Sequence, residues 1–313
     1  MALSLVKKLV RSLAVLIVVT FATFCLMYGN GPGIAHAVLG KSATPEAIQA
    51  EVVKLGLDQP LVVQYWNWLE GVTHGDLGRS FYTGESVSGA LSNRVPVTLA
   101  LVVLALLLTA VVSVILGVTA AVRGGWVDRT LQFVSVLGTA VPAFVIAIAL
   151  VFSLAIHWRL FPATGYVSPN VSLRGWWSSL ALPVTALLIG SVASATQQFR
   201  TAVLDTLGRD YVRTLRARGI HEREVIFRNV LRNSAGPGLT VLSLTTFGLL
   251  GGAVFIEQVF ALPGMGQLAN MAAQINDVPL VMGTVLVTIV IVLVVNFAGD
   301  VAITLLNPKA RTR

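Results

Sequence analysis

Four stretches of this chain, residues 95–122, 130–158, 175–199 and 233–256, contain no Lys, Arg, Asp or Glu at all. A membrane-crossing helix needs about 20 predominantly apolar residues, and each stretch supplies them. Two further runs pass the same test. Residues 9–28 carry only Arg11 near their start, and a last run begins near Pro279 and passes Asp300 to about residue 306. Segments surrounded by lipid must satisfy their backbone polar groups internally, so six helices are expected. Only 12% of the residues are charged and 55% are hydrophobic, against about 25% charged in an ordinary soluble domain. The fold class expected is an all-α polytopic membrane protein.

The charges between the spans set the orientation. Loops rich in Lys and Arg stay on the cytoplasmic side. Six spans put both termini on one side, and 16 of the 22 cations then fall together. These are Lys7, Lys8, Arg11, Arg123, Arg129, eight arginines between positions 200 and 232, and Lys309, Arg311 and Arg313. Lys41, Lys54, Arg79, Arg94, Arg159 and Arg174 are left on the other face, diluted by acidic residues. Both termini are therefore expected in the cytoplasm. The basic start, the apolar run and Ala35-His36-Ala37 also imitate a secretory signal. The length of the run favours a retained first span. The division expected is a first span at 1–29, an external segment at 30–94, a five-helix transmembrane core at 95–308 with a cytoplasmic loop at 200–235, and a tail at 309–313.

Within the external segment Thr44-Pro45-Glu46 reads as a helix start, a capping hydroxyl followed by proline at the first helical position. Ile48, Val52 and Leu55 recur on one face, and Gly56 can end the helix. A second unit starts at Pro60, with Leu61, Tyr65, Trp68 and Leu69 in a stripe that ends at Gly71. Two such helices, bearing Trp66 and Trp68, suit a membrane–water boundary. They serve as a lid packed on the external rim or as a dock for an external partner.

The loop between the fourth and fifth spans holds Arg200, Arg209, Arg213, Arg216, Arg218, Arg223, Arg228 and Arg232 against Asp205, Asp210, Glu222 and Glu224. Val212, Leu215, Ile220, Val225, Ile226 and Val230 recur between them, so the spacing predicts short helices broken at Gly219. An ordered basic helix pair on a cytoplasmic face suits a soluble partner. It does not suit nucleic acid, because no aromatic residues interleave with the arginines to stack on bases.

Other chemistry is poorly supported. Gly40-Lys41-Ser42 has Ala35 where a phosphate-cradling loop needs glycine, and no strand precedes it. The chain is therefore not expected to hydrolyse ATP or to bind a cofactor of its own. His36, His74, His157 and His221 are isolated, without metal-ligand spacing. Pro142 and Pro183 lie in or beside the third and fourth spans, and the fifth holds Gly236, Pro237, Gly238, Gly248, Gly251 and Gly252. Such residues permit tight packing or mark a moving, pore-lining helix. Pro142, Phe144, Gly248, Gly251, Gly252 and Glu257 are the candidates for the path or its gate. Glu257, Asp277 and Asp300 flank the last two spans, where pairing with a neighbouring arginine is the expected role.

The segment at 213–219, Arg-Thr-Leu-Arg-Ala-Arg-Gly, resembles the cytoplasmic coupling loop of ABC importer permeases. Many of these read Glu-Ala-Ala with glycine four residues later. Here Arg213, Thr214 and Leu215 take those three places and Gly219 matches the glycine. DYVRTLRARG with a following LRN looks like the dipeptide/oligopeptide/nickel variant. Similarity continues in LGLDQPLVVQYWNWL (55–69), GDLGRSF (75–81), RVPVTLAL (94–101), VPAF (141–144), FPATGY (161–166), GGAVFIEQVFALPGMG (251–266) and NDVPLV (276–281), and at the end of the chain in NFAGDVAITLLNPKAR (296–311). Two departures are Gly-Pro-Gly-Ile at 31–34, where the family has proline-glycine-aspartate, and Asn307, where aspartate is common.

The resemblance implies half of a translocation pathway in a bacterial inner membrane. A second homologous permease subunit would complete it. Two cytoplasmic ATPase subunits, carrying ATP and Mg, would engage the loop through Asp210, Arg213, Thr214, Arg216, Arg218, Gly219 and Glu222. An extracytoplasmic binding protein would deliver peptides: di- or oligopeptides, or a small peptide such as glutathione. Nickel or another small solute remains the alternative cargo. A self-sufficient secondary transporter is a different class, and the inverted repeats and midplane ionisable groups it would want are not evident.

Overall fold

A computed structural model describes residues 2–28, 31–40 and 42–306, and among them helix is the repeating element. One isolated antiparallel bridge joins Arg79 and Ser86. Lys41, the Asn307 departure and the expected tail at 309–313 lie outside the described residues, as do the side chains of Lys7, Lys8 and Asp300. The chain divides into two compact units, Met1–Thr98 with Pro263–Leu293, and Leu99–Leu262 with Val294–Arg313. This partition differs from a division by spans, because residues far apart in sequence share the first unit.

The first unit contains α1 (Ala2–Tyr28), α2 (Gly31–Leu39), α3 (Pro45–Lys54), α4 (Leu61–Thr73), the start of α5 (Val87–Arg123), α12 (Met265–Gln274) and much of α13 (Val278–Leu306). Thr44 Oγ1 accepts from Ala47 N at 3.3 Å and Pro45 opens α3. Gly56 follows with φ +68°, the left-handed turn expected at that stop. The α4 stripe faces inward: Tyr65 is buried, its hydroxyl is 2.9 Å from Thr20 Oγ1, and Phe21 and Phe24 of α1 meet its ring edge-on. Leu61, Trp68 and Leu69 pack against the same cluster, while Trp66 stays exposed. Helix α2 was not evident from the sequence. It buries Ile34 and Ala35 in this cluster and places Ala35-His36-Ala37 within a helix.

The second unit contains the rest of α5, then α6 (Gly125–Ala140), α7 (Ala143–Leu150) with a π-helical continuation (Val151–His157), α8 (Leu173–Leu207), α9 (Asp210–Ala217), the single turn α10 (Glu222–Glu224), a π-helical stretch (Val225–Val230) and α11 (Leu231–Val259). Helix α8 meets three neighbours at glycines. A Cβ on Gly117 of α5 would sit 3.0 Å from Arg200 N and 3.1 Å from Thr196 O. One on Gly138 of α6 would lie 2.9 Å from Ala193 Cβ, and one on Gly238 of α11 would overlap the Phe199 ring. Small residues let helices approach this closely in a membrane.

Among the described residues, five helices are long and apolar enough to cross a membrane, or six if the bent pair α6 and α7 counts as one span. That pair occupies the residues expected to form the third span, with a break the sequence reading did not include. Its two halves are bent by 92°. Val141 is extended at φ −96° and ψ 121°, as proline imposes on the residue before it, and Pro142 then starts α7. The segment expected as a cytoplasmic loop at 200–235 is largely helical. Residues 200–207 are the last turns of α8, and from Glu222 the chain is already helical into α11.

Candidate coupling loop and translocation groove

The basic loop is folded onto its own unit. Gly208 ends α8, and α9 begins two residues later. Its inner face is apolar. Val212 is fully buried with Val203, Val225 and Val230, and Tyr211, Leu215 and Ile220 pack around them. The α9 apolar positions read from the sequence are the ones that seat it. Gly219 carries φ +74° with open space where a Cβ would stand, so it is required by backbone conformation and not by crowding.

The polar residues divide into two sets. Arg216 is engaged within the loop: its Nε donates to Glu222 Oε2 at 3.0 Å and its Nη2 to Glu222 Oε1 at 2.5 Å. This bidentate pair bridges the Gly219 turn, and the hydrogen bonds from Arg216 to Glu222 raise the guanidinium pKa further above its ordinary value. Arg213 is outward, 3.8 Å from an exposed Asp210, and Arg218 is exposed as well. Thr214 turns its hydroxyl back to the Asp210 carbonyl at 3.1 Å. Arg213 and Arg218 are thus presented outward around the turn, as is Arg223 just after it. Arg200, counted with the loop in the sequence, belongs to α8. Its guanidinium grips the Asp128 carboxylate of α6, with Nη2 to Oδ2 at 2.6 Å, and Gln132 Nε2 donates to the same oxygen at 2.9 Å.

Two open cavities border α8 and α11. One, of about 380 Å³, is lined by Ala143, Ser191, Ser194, Gln198, Gly248 and Gly252 among others. The other, of about 460 Å³, is lined by Gln198, Thr201, Asp205, Arg209, Asn233 and Pro237 among others. Of the path candidates, Gly248 and Gly252 are on the first cavity. Gly251 is exposed, and a Cβ on Gly248 or Gly251 would touch nothing within 4 Å, so neither glycine is explained by packing within this chain. Phe144 is half-exposed with its ring 6.3 Å from that of Phe255. Pro142 caps α7. Glu257 is fully buried and does not line either cavity.

Asp277 was expected to pair with arginine, and the structure corrects this. It is fully buried in the first unit, accepting from Ser80 Oγ at 2.5 Å and Phe81 N at 3.2 Å. Tyr82 donates to the Ile275 carbonyl nearby, and desolvation together with the Asp277 charge raises its phenol pKa. The partners in this clasp are 196 and 197 positions apart, and those of the Arg200–Asp128 pair 72 apart. No local motif announces either. The hydroxyls and amides of α8 were legible as a helical spacing but had not been singled out.

Residues 113–312 match the family described as binding-protein-dependent transport system inner membrane component, and residues 1–102 match its N-terminal counterpart. A Brucella abortus (strain 2308) protein named as a peptide transport system permease is 37% identical over 310 residues, covering 98% of each chain. The oligopeptide transport system permease protein AppB of Bacillus subtilis (strain 168) is 31% identical over 314 residues, 99% of each. A chain of the MetNI methionine ABC transporter in an inward-facing conformation superposes with a TM-score of 0.54 over 69% of this chain and 96% of that one, at 20% identity, a likeness of fold. With matches along its whole length and several apolar helices, this chain belongs to the binding-protein-dependent transport system inner membrane component family, as a multi-pass permease subunit of the bacterial inner membrane.

Proposed function

We propose that this chain forms half of the translocation path of an ATP-driven peptide importer and takes its power stroke through α9. The observation that carries the coupling role is the loop itself. Its apolar face is fixed on Val203, Val225 and Val230, while Arg213 and Arg218 stand outward around the Gly219 turn. A soluble subunit pressing there would move the ends of α8 and α10 with it. Both termini and α9 are cytoplasmic in this reading, and the helices α3 and α4 are external. A second permease subunit packs along the open Gly251 side of α11. Two ATPase subunits carry ATP and Mg, and a binding protein delivers the cargo. Peptides are taken as that cargo because full-length relatives bear that name.

Co-expression with the partner subunits, followed by reconstitution in vesicles with the binding protein inside and ATP outside, tests this. Labelled di- and oligopeptides should leave the lumen only with ATP. Export without ATP, or no peptide movement alongside robust movement of another solute, would overturn it.

A further inference from the structure

We infer that the open face of α8 is a polar track that holds the carried molecule by its backbone amides and largely ignores its side chains. This rests on the peptide reading above. Ser191, Ser194, Gln198, Thr201 and Asp205 recur every three or four residues, so they lie on one face of the helix. The last four are exposed, whereas Ala195, Phe199 and Val203 between them are buried. The other sides of α8 are occupied, against Gly117, Gly138 and Gly238. The exposed positions of α5 show the opposite chemistry: Leu107, Val111 and Ile115 are what lipid accepts. Gln198 has more polar capacity than its one long hydrogen bond to Ser194 uses, and leaving the rest in hydrocarbon is costly, so the α8 face suits water or a polar surface.

The two cavities run beside this face and share Gln198. Part of the polar capacity is already used. Ser191 Oγ donates to Leu187 O at 2.8 Å and lies 2.8 Å from Thr109 Oγ1, and Gln198 Nε2 donates to Ser194 Oγ at 3.5 Å. Thr201 Oγ1 donates to Gln197 O at 3.0 Å and retains lone pairs for an incoming N–H. Gln198 offers a carbonyl acceptor and an amide donor from one side chain. A peptide presents one N–H and one C=O per residue whatever its sequence, and this track meets both. No formal charge sits on it before Asp205. From Ser191 to Asp205 the track runs about 21 Å at ~1.5 Å per residue, room for about six residues of extended peptide at ~3.4 Å each.

The test uses the assembled complex, with Cys25→Ser as background. Ser194→Cys, Gln198→Cys and Thr201→Cys are compared with Val111→Cys and Ile115→Cys on α5. In inside-out vesicles a water-soluble, impermeant thiol reagent should modify the track cysteines about tenfold faster than the α5 pair, because the reagent needs a hydrated thiolate. Excess peptide should slow the former alone. Gln198→Leu should reduce transport of cationic, neutral and anionic peptides by the same factor, and Gln198→Glu should skew it by charge. Track cysteines as unreactive as the α5 pair, in a complex whose unsubstituted form carries peptide, would show the face covered by the second subunit and overturn the inference. So would a Gln198→Leu loss confined to one peptide class. Failure of the unsubstituted complex to carry any peptide defeats the functional reading instead, and labelling still decides whether the face is wet.

Discussion

Two reversals of the chain are closed by carboxylates, and they are closed in opposite ways. In the first unit Asp277 is fully buried and takes its hydrogen bonds from a hydroxyl and a backbone N–H, Ser80 and Phe81. In the second, Glu222 meets Arg216 across the Gly219 turn with both side chains about half in solvent. A buried carboxylate that loses a donor, or a donor that loses its carboxylate, has no water to turn to. An exposed ion pair can exchange its partner for water or for another protein at little cost. The first arrangement suits a structure that must hold its shape, and the second suits a surface that another subunit must take over.

The largest effect should come from Asp277→Ala. It leaves the buried Ser80 hydroxyl without its acceptor, at about 1–3 kcal/mol, and the part-buried Phe81 N–H without its carboxylate, at less. The expected readouts are a fall in the melting temperature of the purified protein and new proteolytic cleavage within 76–86. Asp277→Asn keeps an acceptor and should recover much of the loss. A variant that is fully stable as alanine would erase the contrast between the two clasps.

Gly219→Val comes next. A β-branched residue at φ +74° is strained by about 1–2 kcal/mol, and the open space around the position means that strain is the whole penalty. Membrane insertion should stay normal while co-purification of the ATPase subunits and peptide transport are lost. Full assembly and transport would remove α9 from the coupling role.

Arg216→Glu should be milder, since breaking an exposed pair costs about 0–1 kcal/mol. The informative variant is the swap, Arg216→Glu with Glu222→Arg. Restored ATPase docking in the swap identifies the pair as an internal clasp. Docking that stays low would make Arg216 a contact of the partner. The smallest effect expected is that of salt: raising ionic strength should loosen the Arg216–Glu222 turn, seen as faster proteolysis near 219, and leave the Asp277 clasp unchanged.

Much of this architecture was written in local signals. The charge-free runs marked the spans, Thr44-Pro45 marked the start of α3, and the spacing of Val212, Leu215 and Val225 marked the seat of the loop. Proline was harder to interpret. Pro96, Pro183 and Pro237 sit inside continuous helices, whereas Pro142 ends one helix and begins another. Nothing in the residue type separates these outcomes, because neighbouring helices decide whether a freed backbone carbonyl is tolerated. The Ser80–Asp277 and Asp128–Arg200 contacts were unreadable for a different reason: partners so far apart in sequence meet only once the fold exists. The α8 track was fully readable as a period of three and four, but its polar residues are individually weak signals in a span that is otherwise apolar.

The contact between Gly238 and Phe199 has a consequence for how this subunit can change over generations. A methyl group at 238 would occupy space the ring already holds, and the ring is closed in with Ala195 and Val241. Position 238 cannot enlarge alone: a larger residue there becomes viable only in a lineage that has first shortened 199. In a genetic selection, Gly238→Ala should therefore be rescued by Phe199→Leu, and the two sites should be inherited as a pair.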